Sequence, residues 1–155
     1  MELKSIGKIK VQEDEMFIKV NEEFKDGLKG LEGFSHLDVL WWFDKFDDAQ
    51  FRSNIIEKKP YKKGPEEIGV FATRSPIRPN PIALSVVSIL YIDYEEGKIY
   101  IPYIDAFDNS EVLDLKPYTP SVDRVRNCKV PQWCINWPSF MEDSGDFDWK
   151  NEFNF

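Results

Sequence analysis

Cysteine, histidine and paired glycines are scarce in this chain, and each scarcity removes a class of function. Two cysteines, Cys128 and Cys134, make no disulfide framework. With the one histidine, His36, they cannot supply the four ligands of a structural zinc site, so no metal is expected. His36 lacks a serine or cysteine pattern that would make a nucleophile–base pair, and it reads as a hydrogen-bonded structural residue. Glycines 27, 30 and 33 contain no G-x-G, which excludes a dinucleotide fingerprint. No apolar run approaches the ~20 residues of a membrane span. The start, MELKSIGKIK, has no apolar signal-peptide core. A reduced, cytoplasmic protein without membrane association is expected.

What is present is bulk and aromatic surface. The 155 residues, of which 42% are hydrophobic and 15% aromatic, suit one domain with a real core rather than a disordered chain. The net charge of −8 argues against a general nucleic-acid binder. Its distribution is uneven. Residues 137–155 carry a net −4, whereas Arg52–Lys63 carries a net +4. A locally positive face is therefore open to an acidic protein, although Lys58, Lys59, Lys62 and Lys63 read first as a solvated loop.

The stretch that organises the chain is Gly69–Ser85, GVFATRSPIRPNPIALS. Pro76, Pro79 and Pro81 each fix φ, remove a donor and bias the preceding residue away from the α region. A stiff, kinked loop is predicted between two strands, Ile68–Thr73 and Ile82–Ile92, the second buried on both faces. Arg74, Arg78 and Asn80 project from that loop. An arginine can grip a carboxylate or phosphate through two parallel hydrogen bonds, so the loop suits an anionic or carboxylate-bearing ligand.

Elsewhere, alternation predicts a strand over Leu3–Val11 paired with Met16–Val20 across an acidic turn. Asn21–Leu31 is short and helix-compatible. Phe34–Phe43 reads as an apolar strand with Leu37, Val39, Trp41 and Phe43 on one face and Asp38 as the exception on the other. Asp44–Gln50 is a polar turn and Phe51–Pro65 a basic loop. Glu95-Glu96-Gly97 predicts a hairpin into Lys98–Ile104, and Glu111–Leu115 is a further short strand. Val130–Phe140 suits one short helix with Trp133 and Trp137 on a shared face. Gly145–Phe155 is a tail, loose or docked. The pattern predicts a mainly β protein, a compact antiparallel sheet or barrel with short helices.

Three motifs resemble one family in order and wording: GLEGFSHL from Gly30, the proline-rich signature, and DLKPYTP from Asp114. Together with the intervening chain they are similar to the TsaA-like (TrmO) family of S-adenosylmethionine-dependent tRNA methyltransferases. The resemblance implies a small antiparallel β-barrel domain over residues 1–125, commonly homodimeric, with 126–155 as a C-terminal extension. It implies S-adenosyl-L-methionine as cofactor and N6 of N6-threonylcarbamoyladenosine, in the tRNA anticodon loop, as methyl acceptor. Matched onto this chain, the family's cofactor contacts fall on Asp44, Lys45, Arg74, Leu84, Val112, Leu113, Asp114 and Leu115. Arg74 suits the methionine carboxylate, Leu84 the adenine ring, and the strand end at 112–115 the adenine edge. Asp44 stands where many relatives carry histidine, and the segment between Val11 and Val20 lacks the relatives' Pro-x-Gln loop.

Methyl transfer from a sulfonium is an in-line displacement that needs orientation more than functional groups. The acceptor nitrogen must still lose a proton, and Asp114 is the candidate base. The same carboxylate has a purely structural use, pairing with Lys116 or Arg78. Arg78, Asn80, Lys116 and Tyr118 are the candidate substrate contacts. Tyr118 and Tyr103 suit stacking on a splayed base, although such tyrosines are more often core aromatics. Two other functions fit the residues: methyl transfer to a small molecule, and binding without catalysis.

Overall fold

Alternating Ile9 and Val11 against Lys8 and Lys10 form a strand, β1 (Gly7–Val11). It turns at Gln12–Glu15 into β2 (Met16–Val20), with Gly7 opposite Val20 and Val11 opposite Met16. The computed structural model describes residues 2–155. A 3-10 turn, Glu22–Leu28, follows, and then β3 (His36–Trp42), whose Leu37, Val39 and Trp41 point into the core. Next come α1 (Ala49–Arg52), the paired strands β4 (Ile56–Lys58) and β5 (Glu67–Gly69), and a 3-10 turn at Val70–Ala72. The remaining strands are β6 (Ile82–Ser88), β7 (Tyr91–Asp93), β8 (Lys98–Ile101) and β9 (Glu111–Pro117), followed by α2 (Pro120–Asp123).

Seven strands form one antiparallel sheet in the order β6-β3-β9-β1-β2-β8-β7, with β4 and β5 as a separate pair. The hydrogen bonds do not close this sheet into the barrel expected from the sequence. Its end strands, β6 and β7, are nonetheless separated in the chain only by Ile89 and Leu90. Ile89 N donates to Ser35 O beside β3, while Leu90 N donates to Tyr100 O on β8. A two-residue link reaches only ~7 Å, so the sheet curls until its two ends nearly meet. Inside the curl lies the core, with Ile9, Ile18, Leu37, Val39, Ile99 and Val112 fully buried. Each such side chain contributes about 1.5–3 kcal/mol by leaving water.

Four expectations change. Val70 and Phe71 lie in a 3-10 turn and not in a strand, so the strand expected over Ile68–Thr73 is only the end of β5. The strand expected over Ile82–Ile92 is two strands and is not buried on both faces, since Leu84, Leu90 and Tyr91 are exposed. The basic loop holds the last two residues of α1 and the whole of β4. The helix expected over Val130–Phe140 is one 3-10 turn, Gln132–Cys134. Trp133 and Trp137 still share a face, meeting edge-on at 5.4 Å, and the tail is docked by a bridge from Phe153 to Tyr61. Among the described residues no helix is long and apolar enough to cross a membrane.

Candidate functional site

The proline-rich loop is held by side chains from both sides of it. Arg78 folds back onto the loop, donating through Nη2 to Val70 O at 3.2 Å and through Nη1 to Thr73 O and Ser75 O at 3.4 Å. Arg52, at the end of α1, donates through Nε to Pro79 O at 2.9 Å and reaches Asn80 Oδ1 at 3.4 Å. Its guanidinium also pairs with Asp47 at 3.0 Å and lies over the Trp42 ring. From β4, Glu57 Oε1 accepts from Ser75 Oγ at 2.9 Å and from Asn54 Nδ2 at 3.3 Å. Thr73 Oγ1 and Ser75 Oγ accept the backbone N–H groups of Ser75 and Ile77, completing the turns.

These bonds separate the two signature arginines. Arg78 spends its donors on the protein's own carbonyls, and Asn80 is occupied by Arg52. Arg74 makes a single hydrogen bond, Nη2 to Leu84 O at 2.6 Å, and is exposed. Among the described residues it has no carboxylate partner. Of the two signature guanidiniums it is the more exposed and keeps the more donors to offer.

Strand β3 lies between β6 and β9 and carries the site across the sheet. On its outer face Leu40 pairs with Leu84 of β6 on one side and with Asp114 of β9 on the other. Leu84, 48% exposed, thus stands in one row with Asp114. The register between β3 and β9 shifts at Leu40/Trp41, where Leu113 is the extra residue of a β-bulge. Bulges re-aim side chains and leave backbone groups unpaired, and they gather next to active sites. Leu115 is half-buried. The Val112 side chain is in the core, which leaves only its backbone for a ligand. Asp114 pairs with Lys116.

Asp44 and Lys45 hang from the far end of β3, in the 3-10 turn Asp44–Phe46, and both are exposed. Partial desolvation holds the Asp44 carboxyl above the ordinary range, and the Glu111 charge adds to this. The Glu111 N–H, Lys45 and Lys8 oppose it. Tyr118 sits at the other end, its N–H donating to His36 O at 3.0 Å and its ring edge-on to His36. It follows Pro117, which faces Leu37, three residues from Leu40 or ~10 Å along the strand. His36 is held between Ser35 Oγ at 2.8 Å and Ser88 Oγ at 3.1 Å, the structural place its sequence context predicts. Tyr103 is exposed and not a core residue.

The site is an open face. Two hollows lie elsewhere, one of about 420 Å³ beside Lys25, Lys29 and Tyr94, the other of about 380 Å³ between Gln12–Met16 and the Tyr91–Tyr100 pair. Neither includes Arg74, Leu84 or Asp114. The groups here suit a sulfonium nucleoside carrying an amino acid: the exposed guanidinium of Arg74, an exposed apolar leucine, and the backbone of a bulge.

Several residues that matter here were not singled out from the sequence: Arg52, Glu57, Leu40 and Asp123. Each acts through a contact distant in the chain. Asp38, the polar exception on β3, is nearly buried, opposite Val86 and Lys116. Burial first, then the charge of Asp123 and a hydrogen bond with it, hold the Asp38 carboxyl above the ordinary range. The Lys116 ammonium is turned to Asp114 instead. A raised folded-state value means the native state binds more protons than the unfolded one just above ~3.9. Stability therefore falls as pH rises through that window, and the penalty persists above it. Asp38→Asn is expected to raise the urea midpoint at pH 7 and to bring no gain at pH 3. A midpoint at pH 7 that is unchanged or lower would show that Asp38 carries no such penalty.

Residues 7–124 match the family model described as the tRNA-methyltransferase O N-terminal domain. An S-adenosyl-L-methionine-binding protein of Archaeoglobus fulgidus is 40% identical over 115 residues, 74% of this chain and 77% of that one. The tRNA (adenine(37)-N6)-methyltransferase of Escherichia coli is 33% identical over 121 residues, 77% of this chain and 51% of that one. A probable S-adenosyl-L-methionine-binding protein of Archaeoglobus fulgidus is 41% identical, and the chain spans 29% of its length. The crystal structure of TrmO from Pseudomonas aeruginosa superposes with a TM-score of 0.63 at 27% identity, covering 83% of this chain and 60% of that one.

Proposed function

The chain belongs to the tRNA-methyltransferase O N-terminal domain family, and from that membership we propose that it methylates N6 of a tRNA adenosine, namely N6-threonylcarbamoyladenosine of the anticodon loop. S-adenosyl-L-methionine, when bound, supplies the activated methyl group. The observation that carries the reading is the division of labour in the proline-rich loop. Arg78 and Arg52 hold the loop still, and Arg74 keeps free donors on an exposed face.

In this reading Arg74 grips the methionine carboxylate through charge-assisted hydrogen bonds. Leu84 forms the apolar wall under the adenine. Backbone groups of the strand end at Val112, Leu113, Asp114 and Leu115, where the bulge leaves Leu113 outside the ladder, read the adenine edge. Asp44 and Lys45 bracket the ribose side. Asp114 takes the proton from N6, and Lys116, its ion-pair partner, turns the carboxylate and balances its charge. Tyr118 offers a ring on which a splayed base can stack. Arg78 and Asn80 stay candidate substrate contacts, held in place by the hydrogen bonds that also fix the loop. The cytoplasmic place and the homodimer belong to the same proposal. An open site gains its missing wall from a second copy of the chain, or from the tRNA itself.

The test is transfer from methyl-labelled S-adenosylmethionine to tRNA carrying threonylcarbamoyladenosine, read by nucleoside mass spectrometry. Label in the N6-methylated nucleoside is expected. Cofactor binding without label in tRNA would move the acceptor to a small molecule, and no cofactor binding would end the enzyme reading.

A further inference from the structure

Residues 125–155 lie beyond the family match, and their contacts converge on one place, the tip of the β4–β5 pair. Tyr61, at that tip, stacks on Trp133 with ring centres 4.8 Å apart and meets Trp137 edge-on at 5.4 Å. Glu152 is the pivot, only 6% exposed in a segment otherwise rich in solvated acids. One of its carboxylate oxygens takes Lys63 Nζ at 2.8 Å and the other takes Trp137 Nε1 at 3.1 Å. Those two donors hold the carboxyl below the ordinary range, Lys63 first. Backbone bonds add to the clamp: Lys62 N to Glu152 O at 2.9 Å and Asn154 N to Pro60 O at 3.0 Å.

The clamp has a physical purpose. Strands β4 and β5 are three residues each and stand outside the main sheet. An isolated two-stranded pair is marginal in water. Left alone, its tip would fray. Yet this pair adjoins the arginine loop twice. Glu57 of β4 accepts from Ser75 Oγ at 2.9 Å, and β5 runs directly into the Val70–Ala72 turn, whose Val70 O receives Arg78.

We infer that the C-terminal segment is a brace: it clamps Tyr61–Lys63, thereby fixes β4–β5, and through the Glu57–Ser75 hydrogen bond holds the turn that aims Arg74. Tyr61, Glu152 and Glu57 are then positioning residues, acting through Arg74 rather than on a ligand. The inference rests on the proposed cofactor for one of its two readouts and is independent of it for the other.

Hydrogen exchange on the 155-residue chain is the independent readout. Tyr61→Ala and Glu57→Ala are expected to speed exchange over residues 70–78 while residues 36–42 of β3 stay protected. Unchanged exchange over 70–78 would overturn the brace, whether or not S-adenosylmethionine binds. Calorimetric titration with S-adenosylmethionine is the second. Tyr61→Ala, Glu152→Ala and Glu57→Ala are each expected to weaken binding by about 5-fold or more. Glu57→Gln should restore most of the affinity, because its amide oxygen still accepts from Ser75. In an Arg74→Ala background Glu57→Ala should cost less than about 2-fold further, since residues acting as a unit are not additive. Full additivity, or no rescue by glutamine, would reduce these residues to general stabilisers. A wild-type chain that binds no S-adenosylmethionine would remove the proposed function and leave the exchange result to decide the brace.

Discussion

Arg74→Ala is expected to weaken S-adenosylmethionine binding by about 1.5–3 kcal/mol, the range for a hydrogen bond to a charged group. Each 1.4 kcal/mol is tenfold, so the dissociation constant should rise roughly 12- to 140-fold. The size follows from what Arg74 is doing without a ligand. Its one internal bond goes to Leu84 O, so its removal takes little from the fold, and stability should change by less than about 1 kcal/mol. What is lost is a fork aimed at a carboxylate. Arg74→Lys keeps the charge but not the paired geometry, and it should recover only part of the affinity. Arg78→Ala makes a useful contrast. It frees the Val70, Thr73 and Ser75 carbonyls, so it should loosen the loop as well as weaken binding. Calorimetry with S-adenosylmethionine, alongside urea unfolding, separates the two. Unaltered affinity in a normally folded Arg74→Ala protein would take Arg74 out of the site.

That contrast marks how far the sequence could be read. Arg74 and Arg78 stand four positions apart in one proline-rich loop and are chemically the same. Which of them is free depends on three carbonyls that only the folded loop presents. Strands paired with their neighbours in the chain were legible: alternation exposed β1 against β2, and the turn ending in Gly97, at φ +63°, exposed β7 against β8. Val70 and Phe71 looked like strand because they are apolar. They form a 3-10 turn because Val70 O is taken by Thr73 and Arg78. The apolar run Ile82–Ile92 looked buried throughout, yet composition cannot say that Leu84 faces outward beside Arg74. The bulge is one extra residue in an ordinary-looking strand. Trp133 and Trp137 were legible as a packing face, but their partner, Tyr61, sat in a stretch whose lysines pointed to solvent.

The largest stability loss is expected from the smallest substitution, Gly7→Ala. Strand β1 lies between β2 and β9, and Gly7 faces Val20 on one side and Val112 on the other. A Cβ at Gly7 would overlap the Lys19 carbonyl oxygen and come within 3.0 Å of Val20 Cα. Both are backbone atoms, so no side chain can swing away. Either β1 and β2 part at that end or the β1–β9 pairing gives. Overpacking typically costs 1–3 kcal/mol, and a backbone clash belongs at the top, about 3 kcal/mol. Against a total stability of about 5–15 kcal/mol this is a large share. Gly27→Ala is the matched control, for nothing lies within 4 Å of its Cβ and its φ is not left-handed. That change should be neutral or stabilise by about 0.4–1 kcal/mol, because alanine narrows the unfolded ensemble. Urea midpoints of the two variants, with unchanged slopes, give the comparison. Equal midpoints would mean that β1 and β2 yield at Gly7 without cost, and that their close approach does not hold this edge of the core together.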